Sequence, residues 1–273
     1  MKTVLFLFIL LFGHISFSEE KKNSQKFLET MAGKWEFTVS GNMSVGENEP
    51  DKMHVKHQSE AKLYFDSRLI IEKYFIKGSN FGGAALEGEN LDFFLYDSES
   101  KSLLAVQASS IYGIHTQAYK LDSPSRITAI IKKKPGENTA CYYEFLKNGN
   151  ERTGVFLAEH SDFKMFMTIN WLGVKVKDFE KKIKIKEVLN ENPKLKAFKG
   201  ENHKWVLGGS ALFGEFKEGE NHYFELIGEM VTKTHIRKYQ FHADASVKAF
   251  KPEQKEGKTV WEKTDSLYEL PRP

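Results

Sequence analysis

The chain has 273 residues, of which 40% are hydrophobic and 28% charged, too apolar and aromatic for a disordered polymer and too charged for an integral membrane protein. Forty Lys and Arg against 37 Asp and Glu leave a net charge of +3, which excludes a nucleic-acid polyelectrolyte. Abundant Phe, Tyr and Trp favour short aromatic-rich strands over a helix bundle, and the single cysteine, Cys141, allows no internal disulfide, so stability has to come from a packed core.

Met1 and Lys2 lead into the apolar run Val4–Phe12, which has the length of a signal-peptide core and is too short for a bilayer interior of roughly 30 Å at about 1.5 Å per residue. Ser16-Phe17-Ser18 places small residues just before Glu19, so residues 1–18 read as a signal peptide cleaved after Ser18. No cysteine stands at that junction, which argues against a lipid anchor. No second apolar run of about 18 residues follows. The expectation is an exported chain, periplasmic or extracellular, with no integral membrane segment once the leader is removed.

Residues 19–26 are polar and predict a disordered lead-in. Phe27, Leu28 and Met31 lie at helical spacing, and Gly33 ends the turn. Trp35, Phe37 and Val39 then alternate with polar residues, the period of a strand with one buried face. Further strands are expected at 53–65, 69–76, 91–96, 103–108, 114–120, 126–133, 140–147, 153–159 and 163–171. Turn-forming clusters such as Asp97-Ser98-Glu99-Ser100 and Lys147-Asn148-Gly149-Asn150 separate them. Gly78–Gly88 reads as a flexible loop, a lid if it lies at a barrel mouth. Strands this numerous and closely spaced imply an antiparallel meander, and closing it into a barrel over 27–187 removes the exposed edges.

The segment Lys177–Glu187 admits a helix or a closing strand, and the alternation Ile183-Lys184-Ile185-Lys186 favours the strand. Residues 188–194, with Asn190-Glu191-Asn192-Pro193, form a linker to a partial second β unit at 195–273. Strands are expected there at 204–216, 222–228, 235–242, 245–250 and 258–269. A weak internal repeat lays Ser67–Glu72 on Ser210–Glu215, and Glu89-Asn90 with Phe93 on Glu220-Asn221 with Phe224.

The run Phe27-Leu28 through Met31-Ala32-Gly33-Lys34-Trp35 resembles the opening of calycin-type barrels, the lipocalin-like group in which Gly-x-Trp on the first strand follows a short helical turn. The two Ser-x-Leu-x-x-Glu segments are similar to the second and third strands of uncharacterised exported bacterial proteins of that kind. The resemblance spans 27–187 and covers 200–270 only thinly. It implies an all-β fold, an antiparallel lipocalin-like meander barrel followed by a smaller, partly repeated β region. Haem-binding nitrobindin-like barrels continue their first strand with further glycines. Here Glu36-Phe37-Thr38-Val39 follows, so no haem, and no other cofactor, is implied.

Catalytic and metal motifs are lacking in the sequence. His54 and His57 are three apart, which places them on opposite faces of a strand, and the remaining histidines have no ligand spacing. There is no Gly-x-Ser-x-Gly elbow or phosphate loop, and Cys141 shares parity with Tyr143 and Phe145 as a buried thiol. The lysine-rich runs at 132–134 and 181–186 read as solvated faces. Parity is more informative. In 53–65, Val55, His57, Ser59, Ala61, Leu63 and Phe65 share the apolar face, which carries His57 and Ser59 inward. In 114–119 either Ile114/Thr116/Ala118 or His115/Gln117/Tyr119 can face inward. With the second set inside, Trp35, Phe37, His57, Ser59, His115, Gln117 and Tyr119 surround a mostly apolar pocket with a few polar groups. The competing reading makes them core or rim residues satisfied by their neighbours.

The expected function is noncatalytic binding of a small, largely apolar ligand. The alternative is an envelope or surface interaction protein with a side-chain-filled barrel and a protein partner, and an enzyme using the cavity comes third. Amino-terminal sequencing of protein recovered from its own cell should read from Glu19, and a retained Met1 would remove the export assignment.

Overall fold

The computed structural model describes residues 21–97, 102–111, 113–131, 136–162, 164–184, 190–219, 221–230, 235–256 and 258–264. The expected signal peptide at 1–18 lies outside them, as do Ile185 and the end of the last expected strand. Ten strands form a closed antiparallel barrel in which sequence neighbours pair: β1 (Gly33–Val45), β2 (Asp51–Tyr64), β3 (Leu69–Ser79), β4 (Ala85–Asp97), β5 (Ser102–Ser109), β6 (Gly113–Ser123), β7 (Arg126–Ala129), β8 (Glu137–Leu146), β9 (Glu151–His160) and β10 (Met165–Val176). The last strand returns to the first, from Lys34 opposite Val176 to Val45 opposite Met165. A second, open six-stranded meander follows: β11 (His203–Val206), β12 (Ala211–Glu218), β13 (Asn221–Glu229), β14 (Ile236–His242), β15 (Val247–Lys255) and β16 (Lys258–Thr264).

The alternation in β1 works as expected, with Trp35, Phe37 and Val39 all buried inside the barrel. A helix through residues 21–31 closes the end at which β1 begins. Its Phe27, Leu28 and Met31 are buried against Trp35 and Phe145. The Phe27 and Phe145 rings lie 5.0 Å apart, and the Trp35 indole N–H donates to the Met31 carbonyl at 2.8 Å. That bond uses the last turn of the helix, whose carbonyls have no partner within the helix. The expected disordered lead-in is corrected over residues 21–26, which belong to the helix. Phe27 and its neighbours give the helix a buried anchor that the polar residues before them do not reveal.

The second sheet packs on the outside of β3 to β6. Phe93 of β4 stacks on Phe241 of β14 at 4.2 Å with rings within 4° of parallel, and Leu104, Val106 and Ile114 pack in the same cluster as Leu226 and Tyr239. Leu91 through Tyr96 are therefore buried without a break. The other face of this sheet carries a small core of its own, where Leu195, on the short helix Pro193–Phe198, meets Leu212 and Ile227.

Several expectations about local structure are corrected or refined. Residues 177–184 are not a strand: the barrel already closes through β10, and this stretch crosses the outer face of β2, where Gln58 donates to the Lys181 carbonyl and accepts from the Ile183 N–H, each at 2.7 Å. Gly78–Gly88 is mostly strand, with only a short connection at 80–84. Gly78 and Gly88 mark crowding: a methyl group on Gly78 would lie 2.2 Å from the His54 carbonyl oxygen, and one on Gly88 2.7 Å from the Ser110 hydroxyl. The expected strand 204–216 is broken by a tight turn at Leu207–Gly209, with positive φ at all three residues. The linker is hydrogen-bonded: Asn190 and Asn192 donate backbone bonds to Gly208 and Gly209 at 3.0 and 2.9 Å. The sequence repeat would pair Phe224 with Gly214, as Phe93 pairs with Ile71. Phe224 pairs instead with Glu215, so the two hairpins are offset by one rung.

Trp35→Ala should destabilise the fold by about 3–5 kcal/mol, because it opens a cavity in the layer that joins helix to barrel. Urea denaturation measures this, and an unchanged midpoint would deny Trp35 its role as a plug.

Candidate functional site

Inside the barrel, above the Trp35 layer, lies a cavity of about 490 Å³. Val39 and Val55 of β1 and β2, Ile76 of β3, Phe156 of β9 and Ile169 and Trp171 of β10 give it apolar walls. Strands β4, β5 and β6 contribute a polar side: Asn90, Asp92, Gln107, His115 and Gln117. Each is the inward member of an alternating strand whose outward residues, such as Leu91, Phe93, Val106 and Ile114, pack under the second sheet.

At the base of this polar side sits a buried ion pair. Glu72 is fully buried, and Arg152 Nη1 donates to both of its carboxylate oxygens at 2.9 Å. Ser59 Oγ donates to Glu72 Oε1 at 2.7 Å, and the Tyr74 hydroxyl donates to Oε2. The guanidinium also lies over the rings of Phe37, Tyr143 and Phe145, 5.3 to 5.9 Å from their centroids. Burial is the strongest single influence and opposes its charge, but the charge and hydrogen bonding of Glu72, together with the neighbouring Tyr74 and Tyr143, hold the Arg152 pKa above its usual value.

Asp92 faces Glu72 across the β3–β4 ladder. Burial pushes its carboxyl up to about 8; a bond from Gln107 opposes the rise, Glu72 adds to it, and Arg152 lowers it. Gln107 Nε2 donates to Asp92 Oδ2 at 2.7 Å, whereas Oδ1 and Arg152 Nε have no partner among the described residues. At neutral pH Asp92 thus keeps its proton. Gln107 Oε1 lies 2.9 Å from His115 Nε2, and because an amide oxygen only accepts, that nitrogen carries the hydrogen. Burial drives the His57 pKa down to about 4, so its imidazole is neutral. The ring leans on Phe37 and Tyr74 and has no hydrogen-bond partner among the described residues. Cys141 also lines the cavity, and burial raises its thiol to about 11, which keeps it protonated.

Of the residues expected from sequence, Phe37, His57, His115, Gln117 and Tyr119 line the cavity. His115/Gln117/Tyr119 is thus the inward set of β6. Gln117 is held by donating to the Ala118 and Ile130 carbonyls at 2.7 and 2.9 Å. Trp35 and Ser59 are not among the lining residues: Trp35 is bonded to the closing helix, and Ser59 lies deeper, on Glu72. Sequence reasoning missed Glu72, Asp92, Gln107 and Arg152. For the two acids a signal was present, since Ile70-x-Glu72-x-Tyr74-x-Ile76 and Asp92-x-Phe94-x-Tyr96 each set a charge within an otherwise apolar parity class.

Among the described residues no cluster of three or more His, Cys, Asp or Glu is placed to hold a metal ion, and no helix is long and apolar enough to cross a membrane. No known protein family matches the chain, and no curated protein is similar to it in sequence.

The raised Asp92 pKa has a definite stability signature. An unfolded Asp releases its proton near 3.8 and the folded one near 8, so between these values the folded state binds the extra proton and stability falls as pH rises. His57, lowered from 6.5 to about 4, acts in the opposite sense only between those two values. Between about pH 6.5 and 8 the wild type should therefore lose up to about 1.4 kcal/mol per pH unit relative to Asp92→Asn. Parallel urea titrations of the two proteins measure this, and identical slopes would show that Asp92 is ionised in the fold.

Proposed function

We propose that this chain is an exported, noncatalytic binding protein of lipocalin-like, calycin-type character that holds a small, largely apolar ligand inside its barrel. The observation that carries the reading is the cavity itself. Its volume of about 490 Å³ suits a small organic molecule, its walls are largely aliphatic and aromatic, and a few polar side chains gather on one side. Apolar walls supply affinity through burial of ligand surface at roughly 25 cal/mol per Å². The polar side selects orientation, because a buried polar group left without a partner costs about 1–3 kcal/mol.

Catalysis receives less support. Tyr119, Tyr143 and Cys141 are all held in their neutral forms by burial, and Glu72 is saturated by Arg152, Ser59 and Tyr74. The interaction-protein reading has one observation of its own: Phe166, Leu172 and Val174 of β10 are 43 to 53% exposed on the outer wall. That strip is narrow, whereas the cavity is formed by side chains from nearly every barrel strand, and this favours the ligand.

Native mass spectrometry of protein purified from its own host, with displacement of a neutral apolar fluorophore, tests the proposal. The wild type should carry or take up an apolar molecule. Ala129→Phe, which fills the cavity from β7, should weaken uptake at least about tenfold at a cost to stability of no more than about 1–3 kcal/mol. Ile169→Phe, filling it from β10, should act likewise. Absence of any bound molecule or dye in the wild type, with a protein captured by crosslinking at Lys56 or Lys62, would favour the interaction protein.

A further inference from the structure

The ionisable side chains in and beneath the cavity are unevenly matched, with more acids than bases. Glu72 and Asp92 are two carboxyls, and Arg152 is the one cation within the group. Arg152 is committed to Glu72, with Nη1 on both oxygens at 2.9 Å, while its Nη2 reaches the Tyr74 hydroxyl at 3.4 Å. Asp92 is 4% exposed and lines the cavity, yet its only hydrogen bond comes from the neutral amide of Gln107, and Oδ1 is unpartnered among the described residues. The other titratable groups facing this region are His57 from β2, Tyr74 from β3, His115 and Tyr119 from β6, and Cys141 and Tyr143 from β8. None is a cation at neutral pH. Aromatic faces surround the remaining space: Phe37, Tyr74, Tyr119, Tyr143, Phe156 and Trp171.

Resting on the reading of the barrel as a ligand-binding cavity, we infer that its ligand is an amphipathic amine, with a protonated nitrogen beside Asp92 and an aromatic or alkyl body against the apolar walls. An ammonium supplies the charge that Asp92 lacks, and a lining rich in aromatic rings suits a cation. A carboxylate in the same place would meet two acids, with the one guanidinium already engaged. A neutral alcohol would leave Asp92 dependent on its proton. Asp92 holds that proton to about pH 8, and an adjacent cation favours the ionised form. Binding at neutral pH therefore releases the Asp92 proton to solvent: the ligand enters as an ammonium, and the carboxyl becomes a carboxylate.

Isothermal titration of the mature protein with phenylbutylamine, phenylbutanol and phenylbutyrate tests this. The amine should bind at least about tenfold more tightly than the alcohol, and the carboxylate most weakly. Amine affinity should rise about tenfold per pH unit between about pH 6 and 8, while the alcohol shows no such rise. Titrations in buffers of different ionisation heat should report release of about one proton near pH 7 and little near pH 9. Asp92→Asn should bring the amine to the level of the alcohol and abolish the slope. If that variant does not fold, the slope and proton release of the wild type decide. An alcohol or carboxylate that binds as tightly as the amine, or an amine affinity independent of pH, overturns the amine while leaving the cavity reading intact. Failure of all three compounds to bind overturns both.

Discussion

Closure of β10 onto β1 is the constraint from which the rest of the structure follows. Once the pairing from Lys34–Val176 to Val45–Met165 is made, every barrel strand has one face that can reach only the interior. The interior of a ten-stranded barrel is too wide for aliphatic side chains from alternate positions to fill throughout. Trp35, Phe145 and the helix at 21–31 fill one end, and farther along the axis the packing gives way to a cavity. The plug is thus local, set by where the largest side chains lie along β1 and β8.

The polar contents of the barrel are retained against an energetic gradient. Replacing a buried ion pair by hydrophobic residues of like shape is often neutral or stabilising, whereas removing one partner costs about 3–5 kcal/mol. Glu72 and Arg152 therefore contribute weakly to stability as a pair, although the loss of either one alone leaves a buried charge without its partner. The bonds from Arg152 tie β9 to Glu72 of β3, across the barrel rather than along the sheet, and Ser59 of β2 and Tyr74 of β3 hold the same carboxylate. This cross-barrel tie fixes the depth at which polar surface gives way to the apolar plug. Beside it Asp92 has only Gln107, an asymmetry between two neighbouring carboxyls that separates a structural acid from a chemically responsive one.

Much of the fold was legible in the sequence because most strands have one wet face. Period-two alternation located β1, β2, β6 and the later strands, and the helical spacing of Phe27, Leu28 and Met31 found the closing helix. Legibility failed where a second layer erases that period. Strands β3, β4 and β5 are covered outside by the second sheet, so Leu69-Ile70-Ile71 and Phe93-Phe94-Leu95 read as continuous apolar runs with no inner or outer side. The acids among them, Glu72 and Asp92, then looked like interruptions rather than interior groups. His57 was found because β2 kept its alternation, whereas in β6 the alternation grouped His115 with Gln117 and Tyr119 but left open which face is inner. Gly78 and Gly88 misled for another reason: close backbone approach and loop freedom leave the same residue in the sequence.

The one-sided cover gives the barrel two mechanical halves. Strands β3 to β5 are clamped between an interior and an exterior core and are long, with ladders of eight to eleven rungs. On the uncovered side β7 has only four residues, pairs with β8 at just three positions, and meets β6 through a register shift between Leu121 and Ser123. Local opening costs least where the fewest bonds must break, which places it at β7, beside β6 at one edge of the polar side, where Gln117 bonds to the Ile130 carbonyl. The doubly covered strands β4 and β5 thereby hold Asp92 and Gln107 in place, while β6 joins that fixed wall to the short seam at β7.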